Sequence, residues 1–202
     1  TITNIFGNKR VEGVEVCPID GQFLPQPEES FTLSCDTLLL SVGLIPENEL
    51  SIKSGININP VTGGPVINSN LMTNLPGIFA CGNVLHVHDL VDWVSKESEY
   101  CGEQAAKYIR NEMDTITVVD VEIGNLIRYV LPSQVKLGEK TMLSLRPIAP
   151  AEEIYLYIDA NEKVLYRRKF HRILPSEMIR VPVRIMDKEV KSIKIYFGYE
   201  MK

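Results

Sequence analysis

The first 35 residues alternate short apolar segments with turn residues. Residues 1–6 and 10–17 each have the length and composition of a strand, and Gly7-Asn8 separates them. Asp20-Gly21 is a strong hairpin-turn signal. This pattern predicts a β-meander at the start of the chain.

Two later segments each combine a short apolar run with a glycine at its end. Residues 37–42 are almost wholly apolar and too few for a helix, which predicts a strand that ends at Gly43 and is buried on both faces of a parallel sheet. Residues 75–82 repeat the arrangement of turn, short apolar strand and terminal glycine, and a further short strand is predicted at 66–68. Ligands of open α/β sheets bind at the carboxyl ends of such strands.

Apolar residues then recur at steps of three and four from Val91 to Tyr108. This spacing predicts an amphipathic helix over about residues 91–111. We expect Asp89 or Asp92 to be its N-cap. A helix that follows the glycine-ended segments completes an α/β pattern for the first half of the chain.

From residue 113 the hydrophobic period changes to two, and strand-length runs are separated by Gly, Pro, Asn or Asp. The runs are 115–123, 126–130, 141–146, 153–159, 163–170, 178–185 and 191–197. Seven strands in about 90 residues predict an all-β, sandwich-like domain. We therefore expect two domains, an α/β domain at 1–112 and an all-β domain at 113–202.

The charges differ between these two parts. Residues 1–112 carry 6 basic and 14 acidic side chains, whereas the remainder carries 15 and 12. A net charge of −5 over the whole chain argues against a nucleic-acid-binding protein. The basic cluster Arg167-Arg168-Lys169 is either a docking surface for an acidic partner or another subunit, or a solvated edge strand that is protected from aggregation by its charge.

Composition also bears on the compartment. No apolar run approaches the roughly 20 residues of a membrane-spanning helix, and the start of the chain has no signal-peptide pattern. We expect a cytoplasmic protein, with a homo-oligomer left open. The chain begins with Thr1 in place of a methionine, which suggests a piece of a longer protein.

Cysteine and histidine give two further candidates for chemistry. Cys17, Cys35, Cys81 and Cys101 form no C-x-x-C pair, so a zinc site or a redox-active disulfide made of cysteines is not indicated. His86 and His88 would face the same way in a strand, but no third ligand lies at a short spacing. A metal site, a flavin-edge contact or proton relay, and ordinary loop polarity all stay open for them.

Glycines at the ends of two buried strands, followed by a helix N-terminus, would form a crevice for an anion or a dipole. Plain packing of the α/β fold is the alternative explanation of the same glycines. The residues around them also carry a family resemblance. The run Thr37 to Gly43 with Pro46 and Asn48, and the string Thr73 through Leu75-Pro76-Gly77-Ile78-Phe79-Ala80-Cys81-Gly82-Asn83, resemble two motifs of the FAD- and NAD(P)-dependent pyridine nucleotide-disulfide oxidoreductase superfamily.

In that family the first motif is a junction that returns the chain from the NAD(P) domain to the FAD domain, and the second is the distal FAD-binding motif. The resemblance covers about residues 1–112 and implies the later part of a Rossmann-like FAD/NAD(P)-binding domain, in which residues 1–35 end the NAD(P) domain. The glycine-rich G-x-G-x-x-G turn that holds the ADP half of FAD does not occur in the chain.

The resemblance assigns roles position by position. Gly82 would allow close approach of the FAD pyrophosphate and ribityl region. Gly43, the other strand-end glycine of the expected crevice, is also a candidate cofactor-binding residue. Asn83 takes the place of the usual acidic residue and would still accept a hydrogen bond from a ribityl hydroxyl. The helix start, with Asp92 and Trp93, would lie near the flavin O2 edge, where a helix dipole stabilises the reduced ring. Trp93 is alternatively a core anchor.

Residues 35–50 and 82–92 further resemble a subgroup similar to the flavoprotein partners of anaerobic glycerol-3-phosphate and opine or sarcosine dehydrogenases. This resemblance implies electron transfer between NAD(P)H, FAD and a partner protein or small acceptor, without a redox-active disulfide.

Two functions follow. In the first, the chain is the carboxyl-terminal part of a flavin-dependent NAD(P) oxidoreductase and is inactive alone, without tight FAD binding. In the second, the β domain is a non-catalytic interaction module with a residual nucleotide-fold segment.

Overall fold

A computed structural model of the chain describes residues 1–22, 24–41, 43–113, 117–161 and 163–200. It divides into two compact units, Thr1–Gly43 and Leu44–Lys202. Strands greatly outnumber helices in both. No helix in these described ranges is long and apolar enough to cross a membrane. The boundary expected between 112 and 113 stays a prediction.

The first unit is the predicted β-meander. Strands β1 (Ile2–Phe6), β2 (Gly13–Val16) and β3 (Phe31–Ser34) pair antiparallel in the order β1-β2-β3. The Asp20 carboxylate accepts hydrogen bonds from the backbone N–H groups of Gln22 and Leu24, which closes the predicted turn. A short 3₁₀ helix, Pro27–Glu29, lies before β3.

The predicted buried strand at 37–42 is wrong for the residues that the structure describes. Residues 37–41 have no regular structure, and the side chains of Leu39 and Leu40 are 89% and 70% exposed. Val42 lies outside the described residues. A strand that is buried on both faces needs neighbours on both sides, whereas the strands described in this unit pair only with one another.

The predicted strands at 66–68 and within 75–82 are also wrong. Residues 66–68 have no strand structure, and Phe79 forms only an isolated antiparallel bridge with Met72. The predicted parallel sheet is therefore absent from the described part of residues 1–112. Turns take the place of strands there because Gly, Pro and Asn recur every few residues.

The helices are α1 (Glu49–Lys53), a 3₁₀ helix at Gly82–Val84, and α2 (Val91–Ile109). Helix α2 confirms the helix that the periodicity predicts over about residues 91–111. Its predicted cap is wrong, because Leu90 occupies the N-cap position and no side chain caps the helix. The carboxylate of Asp89 instead accepts from Arg146 and from the backbone N–H of Met178.

All seven predicted strands of the second half are present in the described residues, and one short strand was missed. They are β4 (Val118–Ile123), β5 (Ile127–Leu131), β6 (Gln134–Lys136), β7 (Lys140–Pro147), β8 (Ala151–Ala160), β9 (Lys163–Ile173), β10 (Ile179–Arg184) and β11 (Ser192–Gly198). The missed strand is β6, whose three residues are too few to show a period.

These strands form two sheets, with orders β10-β7-β5 and β6-β4-β11-β8-β9. Both sheets contribute to one core, in which Leu145, Leu156, Ile195 and Phe197 are fully buried. Strand β9 lies at an edge of its sheet, and its cations Arg167 and Lys169 pair with Glu200 and Glu153. A charged, ion-paired edge strand accords with protection against edge-to-edge aggregation.

A second, smaller core joins the segment before α2 to the sheets. Ile67, Leu71 and Leu85 pack with Cys101 of α2 and with Tyr129 and Leu131 of β5. This contact fixes the turn at Gly82 and the helix α2 against the sheet β10-β7-β5.

Candidate functional site

The site is built around the turn that follows the motif at residues 73–83. Asn48, which is buried, donates from its side-chain amide to the backbone oxygens of Gly63 and Val84, both at 2.8 Å. The Ser51 hydroxyl donates in turn to the Asn48 side-chain oxygen at 2.8 Å. Asn48 thus ties the end of the first motif to the 3₁₀ turn of the second.

Gly82 opens that turn with a positive φ of 70°. A Cβ atom at this position would lie 3.3 Å from Cγ1 of Val94. Any residue with a side chain would also have to adopt the left-handed backbone conformation, which is strained for L-residues. The backbone N–H of Gly82 donates to Oε1 of Glu97 at 2.7 Å. Glycine is therefore required here for conformation and for the close approach of α2.

Three other residues expected at the cofactor, Asn83, Asp92 and Trp93, lie near this turn. Asn83 is exposed, and its side-chain oxygen accepts from the backbone N–H of His88 at 3.1 Å. Asp92 is exposed in the first turn of α2, and Trp93 is half-buried beside it. Gly43 belongs to the other compact unit, where it is exposed with a φ of 77°. Its place beside the cofactor stays a prediction.

Glu97 brings the two histidines of the motif together. His86 Nε2 lies 2.9 Å from Glu97 Oε2, and His88 Nε2 lies 3.1 Å from Glu97 Oε1. The three side chains are 1%, 0% and 10% exposed for His86, His88 and Glu97. Because an ionised carboxylate only accepts hydrogen bonds, both rings must carry their proton on Nε2. Each Nδ1 is then buried without a partner among the described residues.

Sequence reasoning missed Glu97 as the third member of this cluster. It lies eleven residues after His86, on another element. The one available signal is its position three residues after Val94 and four before Cys101, which places a carboxylate on the buried face of α2.

The cluster holds its protons in a defined way. Burial by itself would raise the pKa of Glu97, but hydrogen bonds from His86 and His88, together with the Gly82 N–H, lower that pKa to about 2. Burial lowers the pKa of His86 in spite of its hydrogen bond to Glu97. The cluster therefore combines an ionised carboxylate with a neutral His86 imidazole at neutral pH.

Acid is expected to destabilise the protein through this cluster. Below about pH 6.5 the unfolded chain binds a proton at His86 more readily than the folded chain does, because the folded-state pKa is lowered. Between about pH 4.5 and 2 the unfolded chain likewise binds a proton at Glu97 more readily. The free energy of unfolding therefore decreases as the pH is lowered. Urea unfolding at pH 7, 5 and 3, with a chelator to keep the histidines free of metal ions, measures this fall. In Glu97→Gln the decrease in stability between pH 4.5 and 2 should disappear, because glutamine does not titrate. A pH profile identical to that of the wild type would contradict the role of Glu97.

A cavity of about 280 Å³ opens beside the cluster. Its walls include apolar side chains of the smaller core and the side chains of Trp93, Lys96, Glu97, Tyr100, Lys140 and Arg180. The cations of Lys96 and Arg180 lie 4.7 Å and 4.5 Å from the centre of the Trp93 ring. Burial lowers the pKa of Arg180, and its Nε and Nη1 have no partner among the described residues.

Arg146 of β7 ties the loop before α2 to the sheet. Its guanidinium donates to the Asp89 carboxylate, to the backbone oxygen of Val87 at 2.9 Å and to that of Ser176 at 2.6 Å. Nε donates to the Tyr129 hydroxyl at 3.2 Å. The pair with Asp89 opposes the effect of burial and raises the pKa of Arg146, so this cation stays charged.

Cys81 and Cys101 lie next to each other near the turn as free thiols. Burial and the neighbouring Cys81 raise the pKa of Cys101 to about 12, which keeps that thiol protonated. Cys81 Sγ lies 3.6 Å from the Ser98 hydroxyl. Nothing in these contacts activates a nucleophilic thiolate at Cys101.

A family model described as pyridine nucleotide-disulphide oxidoreductase matches residues 4–97. The matched range holds the motif at 73–83, the turn at Gly82 and Glu97 itself. The match agrees with the resemblance of the two motifs to this superfamily. No curated protein matches the chain.

Proposed function

We propose that the chain supplies the distal part of an FAD site in an oxidoreductase that transfers electrons between NAD(P)H, FAD and a partner protein or small acceptor. The observation that carries this proposal is the motif at 73–83 inside the family match, which ends in a positive-φ Gly82 directly before the exposed Asn83. The proposed role also requires a G-x-G-x-x-G unit for the ADP half of FAD, which must come from outside the 202 residues.

The residues present fit such a cofactor. The N–H of Gly82 already donates to Glu97. This glycine would therefore favour the cofactor through the space left by its absent side chain, and not through a hydrogen bond from its amide. The side-chain oxygen of Asn83 accepts from the backbone N–H of His88. The side-chain NH₂ group has no partner in the described part of the chain, so it could donate to a ribityl hydroxyl. Helix α2 has no side-chain cap, and the Trp93 N–H donates to the Leu90 oxygen. The N–H groups of Val91 and Asp92 have no partner among the described residues and can face a polar or anionic group.

When bound, the flavin supplies the hydride-accepting ring and passes electrons on. The chain's own residues would bind and orient it. Asn83 would fix the ribityl chain, the α2 N-terminus would stabilise negative charge on the ring, and Glu97 would hold the Gly82 turn in shape through the N–H of that glycine. Trp93 lies in the cavity wall between two cations, and its contact with a flavin ring stays a prediction.

Gly82→Ala tests the proposal in the complete reading frame that contains this chain. We expect the variant to retain less bound flavin per protein and to lose about 1–2 kcal/mol of stability, because alanine at a positive φ is strained. Gly102→Ala on α2 is the matched control, since a Cβ there meets nothing within 4 Å. Bound flavin is read from its visible absorbance after gel filtration, and electron transfer from anaerobic bleaching by NADH or NADPH.

A wild-type protein that neither retains flavin nor bleaches with either nucleotide would overturn the proposed function. Full flavin content in Gly82→Ala would instead remove Gly82 from the site.

A further inference from the structure

We propose that His86, His88 and Glu97 bind a divalent transition-metal ion. Nitrogen and oxygen ligands lie about 2.0–2.2 Å from such an ion, so neighbouring ligand atoms in a tetrahedral site are about 3.4 Å apart. The histidine-to-carboxylate distances are 2.9 Å and 3.1 Å, and one ligand atom from each residue lies within 4.8 Å of the others. The two histidine contacts end on different carboxylate oxygens, so binding of one ion would draw the three ligand atoms, now within 4.8 Å of one another, toward this spacing.

The ligand chemistry selects the class of ion. Two imidazoles and one carboxylate suit Zn²⁺ or Fe²⁺, whereas Ca²⁺ and Mg²⁺ prefer oxygen ligands alone. Metal binding also requires a neutral imidazole and an ionised carboxylate. Coordination through Nε2 would move the proton of each ring to Nδ1, which has no other partner among the described residues.

The cavity borders the cluster at Glu97. Glu97 is part of both the cluster and the wall of the 280 Å³ cavity. Three protein ligands leave a fourth position for water or a small molecule, as in catalytic rather than structural zinc sites. Ser69, Tyr100 and Lys96 also line the cavity and offer polar groups to such a molecule.

Two features limit the site. Arg180 lines the same cavity as Glu97, and its positive charge would oppose a dication. Glu97 Oε1 is shared with the N–H of Gly82, so Oε2 is the oxygen most available to the ion. An ion bound there would connect the Gly82 turn to α2 without displacing the existing backbone contact.

Cobalt(II) titration of the metal-free 202-residue chain tests the proposal. We expect one equivalent to bind with visible d–d bands and without a thiolate-to-cobalt band, and zinc(II) to displace it. His88→Gln and Glu97→Gln should each weaken binding by more than about 100-fold, because even outer partners of ligands cost 10–100-fold. His171→Gln is the matched control, since this histidine is exposed on β9 and paired with Glu153; its affinity should stay that of the wild type. Arg180→Gln should bind severalfold more tightly.

Three results would overturn the proposal. The first is the absence of stoichiometric cobalt binding by the wild type. The second is an unchanged affinity in both His88→Gln and Glu97→Gln. The third is a thiolate-to-cobalt band in the wild type together with loss of binding in Cys81→Ser. X-ray absorption of the zinc-loaded wild type keeps the question decidable if the variants fail to fold. Two imidazoles in the zinc shell support the site, and a sulfur shell refutes it.

Discussion

Replacing Glu97 with methionine is expected to lower the free energy of unfolding by about 3–5 kcal/mol, because buried hydrogen-bond donors lose their common acceptor. The substitution keeps the volume of the side chain but removes the acceptor of three donors, the N–H of Gly82 and the rings of His86 and His88. Each donor left unpaired in a buried place costs about 1–3 kcal/mol. The rings recover part of this by exchanging tautomers, whereas the Gly82 N–H cannot.

Urea unfolding followed by the fluorescence of Trp93, the single tryptophan, measures this loss one helical turn from the change. Glu103→Met is the control, because Glu103 is an exposed carboxylate on the same helix. Glu97→Gln should fall between the two, since its amide oxygen still accepts one hydrogen bond. A loss below about 1 kcal/mol for Glu97→Met, within the range of surface substitutions and single hydrogen bonds, would show that the cluster does not stabilise the fold.

Replacing Arg146 with methionine is expected to cost about 2–4 kcal/mol, less than a fully buried pair because the Asp89 side chain is 34% exposed. The change removes donors to Asp89, Val87 and Ser176, which join the loop before α2 to the β sheets. Hydrogen exchange of the residues between Leu85 and Leu90 should therefore accelerate more than exchange in the core strand β11.

Arg128→Met is the matched control for this prediction, since Arg128 is exposed on the adjacent strand β5. A double-mutant cycle with Asp89→Asn isolates the ion pair from the backbone contacts. Equal effects of Arg146→Met and Arg128→Met on stability and on loop exchange would contradict the role of Arg146.

Helix α2 and the strands of the second half were predictable because their signals are local. The recurrence from Val91 to Tyr108 at steps of three and four puts one face of α2 against the smaller core. Alternation along β10 likewise buries Ile179, Val181 and Val183. Each pattern needs only a neighbouring apolar surface, whichever part of the chain supplies it.

The strands expected at 37–42 and within 75–82 failed for the opposite reason. Apolar composition allows a buried strand, but a strand forms only where a neighbour pairs with its backbone. Leu39 and Leu40 have no such neighbour among the described residues, and Phe79 pairs only with Met72. The Asp89 cap failed similarly, because Arg146, which is 57 residues away, binds its carboxylate.

Local patterns in the amino-acid sequence suffice for the β-meander, the helix α2, the strands of the second half and the motif that ends at Gly82 and Asn83. The tertiary structure alone decided that Glu97 meets His86 and His88 and that Arg146 meets Asp89. Periodicity records which face of an element is apolar, a property of neighbours in the chain. A cluster of polar side chains depends on which elements pack together, and no local pattern encodes the distance between a turn and a helix eleven residues later.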